Sequence, residues 1–355
     1  MPFFPIPETL DFFRTLTLLY PHKTLSSMAS PFLLLLLLLL LIIVPLSVLS
    51  FLVRPKPVKI PLKGRHVLIS GGSSGIGLSL ARLSAGAGAR VSILARNRAR
   101  LDEAVESVRR ATGAEARAFS ADVRDYEAVR RAVEEAGPVD VLICNHGVFT
   151  PQELEAQDLE EVRFIVEVNL MGTFHLIKAA LPEMKRRAKE TGLPASIAIM
   201  SSQAGQVGVY SYTAYSASKF GLRGLGEALQ HEVVADNIHV SIIFPPDTET
   251  PGLAEEQKRR PELASIIVGS SGEMKADDVA AKALNGIQSA RFIVPCNFEG
   301  TMLSIATAGL SPQTSSLAAL AEVFGAGFMR FLGLCFQWNW FSAIDKYTKK
   351  QRGSM

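Results

Sequence analysis

His66-Val67-Leu68-Ile69-Ser70-Gly71-Gly72-Ser73-Ser74-Gly75-Ile76-Gly77 is the stretch that decides the fold. The apolar run reads as a short buried strand, the glycines as a tight turn, and the residues on to about Gly86 as a helix. Such a turn leaves backbone N–H groups unpaired at a helix N-terminus, where the helix dipole favours a phosphate. The spacing is G-x-x-x-G-x-G over Gly71, Gly75 and Gly77, with the Ser73 and Ser74 hydroxyls as further donors. Gly71, Ser73, Ser74, Gly75, Ile76 and Gly77 are therefore the expected dinucleotide cradle. The same letters spell G-x-S-x-G from Gly71 to Gly75, the turn that carries a serine-hydrolase nucleophile. That alternative fails because an elbow on the first strand leaves no obvious acid and histidine in the required order.

Further strands are expected at Arg90–Ala95, Ala116–Ser120, Val139–Cys144, Ala195–Met200, His239–Phe244 and Arg291–Val294, each separated from the next by helical periodicity. This alternation predicts an α/β domain with a doubly wound parallel sheet, whose ligands bind at the carboxyl ends of the strands. Arg96 stands nineteen residues past Gly77 (96 − 77), just after the second strand, where an NAD enzyme places an acid for the ribose hydroxyls. A guanidinium there suits a 2′-phosphate, Arg100 adds a second charge one helical turn on, and positions 95–99 contain no acid. NADPH is thus favoured over NADH, the plain alternative being two solvated arginines at a helix start. Asp122-Val123 closes the third strand, either at the adenine edge or with Asp122 capping the next helix, and Asn145 closes the fourth beside the cofactor ribose.

In Ser211-Tyr212-Thr213-Ala214-Tyr215-Ser216-Ala217-Ser218-Lys219-Phe220-Gly221, a Tyr and a Lys four residues apart share one face of a helix. A free phenol, with a pKa of about 10, is a poor acid-base catalyst at neutral pH, and an adjacent ammonium is expected to lower that value. Tyr215 is then the expected proton donor to an alkoxide and Lys219 the group that tunes it. Ser202, thirteen residues before Tyr215 (215 − 202), supplies a hydroxyl that polarises a carbonyl, and Asn169 on the preceding helix completes the set. Each residue alone has an ordinary structural explanation. Their common position at one sheet edge, beside the glycine turn, points to chemistry.

The 355 residues carry a net charge of +3, which gives no case for nucleic acid. Cys144, Cys296 and Cys335 lie far apart, which fits a reducing compartment and excludes a disulfide scaffold. No metal is expected: His231-Glu232 starts like a zincin helix, but position 235 is Ala rather than the second His.

Residues 1–31 read as an irregular leader, followed at 32–53 by an uncharged, Leu-rich stretch long enough for a transmembrane helix. A cleaved signal peptide has a shorter apolar core and a small-residue cleavage site, and neither fits. Arg54, Lys56, Lys59, Lys63 and Arg65 follow the span against Arg14 and Lys23 before it, which places the following domain in the cytosol. Residues 54–63 form a stiff basic linker through Pro55, Pro57 and Pro61, residues 64–300 the catalytic domain, and residues 301–355 an apolar C-terminal segment with a basic tail. In that segment Leu317–Phe336 is interrupted by Glu322 and Arg330, and Trp338 and Trp340 precede Lys346, Lys349 and Lys350. The order suits a segment lying at the lipid interface, with a second span, a helical hairpin and a helix packed on the domain's own core as alternatives.

Ser70-Gly71-x-x-x-Gly75-Ile76-Gly77, Asn145-His146-Gly147, Asn169-Leu170-x-Gly172, Ser202 and Tyr215-x-x-x-Lys219, in this order, resemble the short-chain dehydrogenase/reductase family over residues 64–295. Pro245-Pro246-Asp247-Thr248-Glu249-Thr250-Pro251-Gly252, with Ser201-Ser202-Gln203-Ala204-Gly205, resembles the membrane-bound branch that reduces the long-chain sphingoid ketone 3-ketodihydrosphingosine to sphinganine. The resemblance implies NADPH, an endoplasmic reticulum membrane, Tyr215 and Lys219 also contacting the cofactor, and Asn169 supporting a proton relay through water to Lys219. It also implies a homo-oligomer, since such enzymes often dimerise or tetramerise. Two residues depart from the broad family: His146 stands where a small Ala is usual and Pro246 where Gly is usual, the latter in keeping with the narrower branch. The segment Asp247–Lys275 falls where these folds place a substrate lid, with Leu253, Leu263, Ile266, Ile267 and Val268 as candidates to line an acyl tunnel. A retinoid, steroid or fatty-acyl ketone is the alternative substrate, and an inactive dinucleotide-binding scaffold the alternative from another class.

Overall fold

The structure, a computed structural model, describes residues 31–54, 57–269 and 272–353. The leader expected at 1–31 falls almost wholly outside the described residues, as do Pro55 and Lys56 of the linker. Two compact units result, Met1–Leu52 and Val53–Met355.

The first unit contributes α1, Pro31–Val53, a helix that includes Pro45 and has no acidic or basic residue in its end turns. Leu33–Val53 has a mean hydropathy of 3.1, and none of the residues in its most apolar window is buried. A helix of this length reaches ~35 Å at ~1.5 Å per residue, enough to cross a bilayer core.

The second unit is built on seven parallel strands in the order β3-β2-β1-β4-β5-β6-β9. They are β1 His66–Ser70, β2 Arg90–Ala95, β3 Ala116–Ser120, β4 Val141–Cys144, β5 Ala195–Met200, β6 Ile238–Phe244 and β9 Ile293–Pro295; β7 Thr248–Glu249 and β8 Met274–Lys275 form a separate parallel pair. Successive side chains on a strand point to opposite faces, and both faces are covered. Val67, Ile69, Val91, Ile93, Val141 and Ile143 bury against α2 Gly75–Gly86, α3 Arg98–Thr112 and α10 Ala276–Gln288. Leu68, Leu94, Phe119, Leu142, Ile197 and Val240 bury against α4 Tyr126–Ala136, α6 Gly172–Thr191 and α7 Thr213–Val233. This is the expected doubly wound sheet. Strand order reverses between β1 and β4, which opens a crevice at their carboxyl ends.

Several local expectations change. β4 begins at Val141 because Asp140 is taken up by an ion network: Arg65 lies 3.1 Å from its Oδ1, Arg187 pairs with the same oxygen, and the His66 N–H donates to Oδ2 at 2.8 Å. Arg65, counted among the juxtamembrane cations, is therefore a buried core residue. Asn169 sits in a π-helical turn, Glu167–Met171, between α5 Leu159–Val166 and α6. The lid carries two short helices, α8 Pro251–Gln257 and α9 Glu262–Val268. The expected division at 300 falls inside α11, Phe298–Ala306, and the interrupted C-terminal stretch is one helix of 38 residues, α12 Ser316–Gly353. No hairpin divides it.

Candidate active site

The glycine turn holds its shape through backbone that a side chain would disturb. Gly71 and Gly75 have φ of +65° and +51°, where glycine carries no penalty. A Cβ at Gly71 would lie 2.8 Å from the His146 Cα, and one at Gly75 2.8 Å from the Thr250 methyl carbon. Ser73, Ser74, Gly75 and Ile76 line a cavity of about 800 Å³, together with Gly71, Arg96, Arg100, Asp122, Val123 and Asn145. Gly77 does not line it but packs behind the turn, where a Cβ would stand 2.2 Å from the Gly71 carbonyl oxygen. The cradle and the two arginines fit a dinucleotide phosphate, since Arg96 and Arg100 are exposed and form no ion pair among the described residues. Asp122 does not cap the next helix; Asp125 does, and Asp122 instead pairs with Arg124 at 2.7 Å. Asn145 turns inward, its Nδ2 donating to the Gly71 carbonyl at 3.2 Å. It therefore braces the turn.

His146 is accommodated by its neighbours. Its Nδ1 lies 2.7 Å from Ser70 Oγ, and Gly172 leaves room for Nε2, which a Cβ there would approach to 2.9 Å. Burial, reinforced by the Lys219 charge, drives the imidazole down to about 3, so it is neutral at physiological pH.

Ser202, Tyr215 and Lys219 line the same cavity. Ser202 follows β5 by two residues and caps the short turn Gln203–Gly205, its Oγ accepting from the Ala204 N–H at 3.2 Å. Its own O–H remains to donate, and its hydrogen bond to Tyr215 favours the phenolate. α7 is pinned by Ser201 Oγ donating to the Lys219 carbonyl at 3.0 Å, while within the helix Ser218 Oγ donates to the Tyr215 carbonyl at 2.7 Å. Asn169 is fully buried and does not line the cavity; its Oδ1 accepts from the Val148 N–H at 2.8 Å and its Nδ2 donates to the Val148 carbonyl and Ser218 Oγ. Its side chain thus clamps the loop after β4 to α7.

The electrostatics reverse the expectation for the phenol. Burial pushes Tyr215 up to about 12, against the Ser202 hydrogen bond, and burial brings Lys219 down to about 7. The Lys219 Nζ donates to the Met200 carbonyl at 2.9 Å and stands 5.5 Å from the Tyr215 ring centroid, so loss of water outweighs the attraction that spacing alone suggested. Tyr215 is consequently a neutral phenol throughout the physiological range, with a proton to give.

Other lining residues were not singled out from sequence. Phe149 meets the Tyr215 ring edge-on at 5.5 Å, and the Tyr212 ring lies 6.1 Å from it, also edge-on. Tyr212 precedes Tyr215 by three residues, a helical spacing that was available as a signal. Of the lid candidates, Leu253 and Ile267 line the cavity, Leu263 is buried away from it, Ile266 is exposed, and the Val268 side chain lies outside the described residues. Further wall comes from α11, through Met302, Leu303 and Ala306, and from α12, through Met329, Leu332, Gly333, Phe336 and Trp340.

The sequence profile described as short chain dehydrogenase matches residues 65–261. The chain belongs to that family. This short-chain dehydrogenase is 58% identical over 298 residues to a 3-dehydrosphinganine reductase of Arabidopsis thaliana, covering 84% of this chain and 91% of that one. It is 36% identical over 309 residues to a 3-dehydrosphinganine reductase of Danio rerio, covering 85% and 91%. Among solved structures it resembles actinorhodin polyketide ketoreductase with NADPH, at a TM-score of 0.60 and 28% identity over 66% of this chain and 97% of that one. A 3-ketoacyl-(acyl-carrier-protein) reductase from Brucella melitensis complexed with NADH gives 0.59 and 27%, with the same coverage.

Proposed function

We propose that this short-chain dehydrogenase reduces 3-ketodihydrosphingosine to sphinganine with NADPH. The observation that carries the reading is the cavity, which Ser202 and Tyr215 line together with apolar residues of α12. The activity named for the Arabidopsis and Danio relatives supports the same substrate. A nicotinamide dinucleotide, when bound, supplies the hydride. The Ser202 hydroxyl donates to the C3 carbonyl oxygen as negative charge develops there, and the Tyr215 phenol gives that oxygen its proton. Lys219 is the cation beside the phenol when protonated, and Asn169 holds the loop and helix that frame it. Arg96 and Arg100, which form no ion pair among the described residues, favour the 2′-phosphate of NADPH over the hydroxyl of NADH.

The membrane supplies such a substrate. α1 serves as the anchor in the endoplasmic reticulum, with the catalytic unit on the cytosolic side as the basic residues after the span imply. α12 is apolar on both sides: Met329, Gly333, Phe336 and Trp340 line the cavity, while Phe324, Phe328, Phe331 and Trp338 recur at helical spacing on the other face and are exposed. That outer face lies in the lipid surface, with Lys346, Lys349 and Lys350 beyond it.

Purified chain in detergent is to be given 3-ketodihydrosphingosine and NADPH, and loss of nucleotide absorbance followed. Turnover is expected, and Tyr215→Phe is expected to lower kcat by ~10²- to 10⁴-fold while NADPH affinity stays near wild type. Undiminished turnover in the variant would remove Tyr215 from the mechanism, and absence of turnover despite NADPH binding would remove the substrate.

A further inference from the structure

Hydride and proton transfer leave one group of cavity residues without a task. Asp247 follows β6, Glu256 lies on α8, Arg260 comes one helical turn later, and all three line the cavity with Tyr212 and Tyr215. Arg260 lies 2.8 Å from Asp247 Oδ2 and 2.7 Å from Glu256 Oε2, and its Nε donates to Glu256 Oε1 at 2.9 Å. The Tyr212 O–H donates to Glu256 as well. Glu256 is closed in by these partners, its side chain 1% exposed, whereas Asp247 keeps 27% of its side chain accessible.

Two carboxylates against one guanidinium leave this group one negative charge in excess. Burial first, and then the Glu256 charge, hold the Asp247 carboxyl above the usual range despite Arg260, the behaviour of an anion short of compensation. The group acts on the catalytic phenol too, because the charges of Asp247 and Glu256 both raise Tyr215. A cation entering beside Tyr215 would be stabilised by the anion and would offset its effect on the phenol.

The substrate reading defines where such a cation sits, and the inference rests on that reading. 3-Ketodihydrosphingosine carries a protonated amine on C2, directly bonded to the carbon being reduced. Its charge therefore lies within a few bonds of the oxygen that Ser202 and Tyr215 hold. We propose that Asp247, fixed by Arg260, receives this ammonium and orients the C3 ketone toward Tyr215, making Asp247 the residue that selects 2-amino ketones over plain long-chain ketones. Arg260 holds the carboxylate in place, and Glu256 holds Arg260 with help from Tyr212. The apolar wall from α12 then accommodates the chain, so the two ends of the substrate are read by different elements.

The test compares 3-ketodihydrosphingosine with 1-hydroxyoctadecan-3-one, the same ketone without the amine, on full-length detergent-solubilised protein at saturating NADPH. Wild type is expected to favour the amine by ~10- to 100-fold in kcat/KM, the range for a charge-assisted hydrogen bond in a partly buried site. In Asp247→Asn the ratio between the two substrates is expected to fall toward one, and in Asp247→Glu to recover in part. A wild-type ratio near one, or a ratio that Asp247→Asn leaves intact, overturns the inference while leaving the sphingoid reading in place. Failure of wild type to turn over either ketone while binding NADPH overturns both. The wild-type comparison stands whether or not the variants fold, and N-acetylation of the substrate amine, which removes its charge, is expected to abolish the preference in the same protein.

Discussion

Gly77→Ala tests the dinucleotide cradle through a residue that does not touch the cavity. The added Cβ would stand 2.2 Å from the Gly71 carbonyl oxygen and 2.5 Å from Asn145 Nδ2. Ordinary contact begins at 3.4 Å, so the turn has to yield by about 1.2 Å (3.4 − 2.2). It has little freedom to do so: the Gly71 N–H donates to the Leu94 carbonyl at 2.8 Å, and Asn145 Nδ2 donates to the same oxygen that the methyl displaces. Overpacking costs ~1–3 kcal/mol and the strained hydrogen bond adds ~1 kcal/mol, together ~2–4 kcal/mol. Expressed in the turn that binds phosphate, this is ~30- to 1,000-fold weaker NADPH binding. Nucleotide fluorescence titration reads the affinity, and thermal melting reads how much of the cost falls on the fold. Gly224→Ala is the control, since nothing lies within 4 Å of its Cβ at an exposed position of α7. It should bind NADPH as wild type does and melt slightly higher, Ala exceeding Gly in helices by ~1 kcal/mol. Wild-type affinity and melting temperature in Gly77→Ala would refute the reasoning.

Because the free enzyme needs Tyr215 neutral and Lys219 charged for reduction, with these groups at about 12 and about 7, kcat/KM should be level below pH 7. Above it the rate should fall ~tenfold per pH unit as Lys219 loses its proton. Lys219→Arg, whose guanidinium stays charged, should remove that limb; a flat wild-type profile from pH 6 to 9 would count against the assignment. Arg96→Ala combined with Arg100→Ala should raise KM for NADPH by ~10- to 100-fold with NADH little affected, and equal losses for both nucleotides would remove the 2′-phosphate role. Asp140→Asn should cost ~3–5 kcal/mol in denaturant unfolding, because it leaves buried Arg65 without its counter-ion. Burial opposes the Asp140 anion, but the hydrogen bonds from Arg187 and His66 and the Arg65 charge depress the carboxyl all the same. The wild-type contribution is therefore present above the unfolded carboxylate range and fades as pH falls below it, and an unfolding curve with no such acid loss would contradict the network.

The central strands were legible because each is an apolar run buried on both faces and bounded by a glycine turn or a cap. Their ends were not, where a polar residue changes role: Asp140 was expected inside the strand Val139–Cys144 and is the hub of a buried ion network. Ser202, Tyr215 and Lys219, the candidate residues that line the cavity, were legible as residue types in order along one sheet edge. Its electrostatics were not, because the sign of the Tyr215 shift depends on how far the fold removes water from both partners, and no spacing reports that. Asn169 shows the same limit. Its position was recoverable, but its side chain is committed to Val148 and Ser218 by a π-helical turn that no periodicity announces.

The C-terminal helix explains why its own sequence resists reading. An amphipathic helix announces itself by one apolar face, and a spanning helix by the absence of charge. α12 satisfies neither pattern, because apolar residues occupy two opposed faces and Glu322 and Arg330 interrupt them. Both interruptions have local uses: Glu322 accepts from Gln313 at 2.6 Å and Arg330 lines the cavity. A wall between a lipid surface and a cavity that takes a lipid has to be apolar on both sides and polar only where it is fastened. That requirement produces a sequence resembling a poor membrane span, and it accounts for Gly333 as well, which keeps the helix slim where it borders the cavity. The proposed substrate and the proposed membrane contact thus place one and the same demand on this helix.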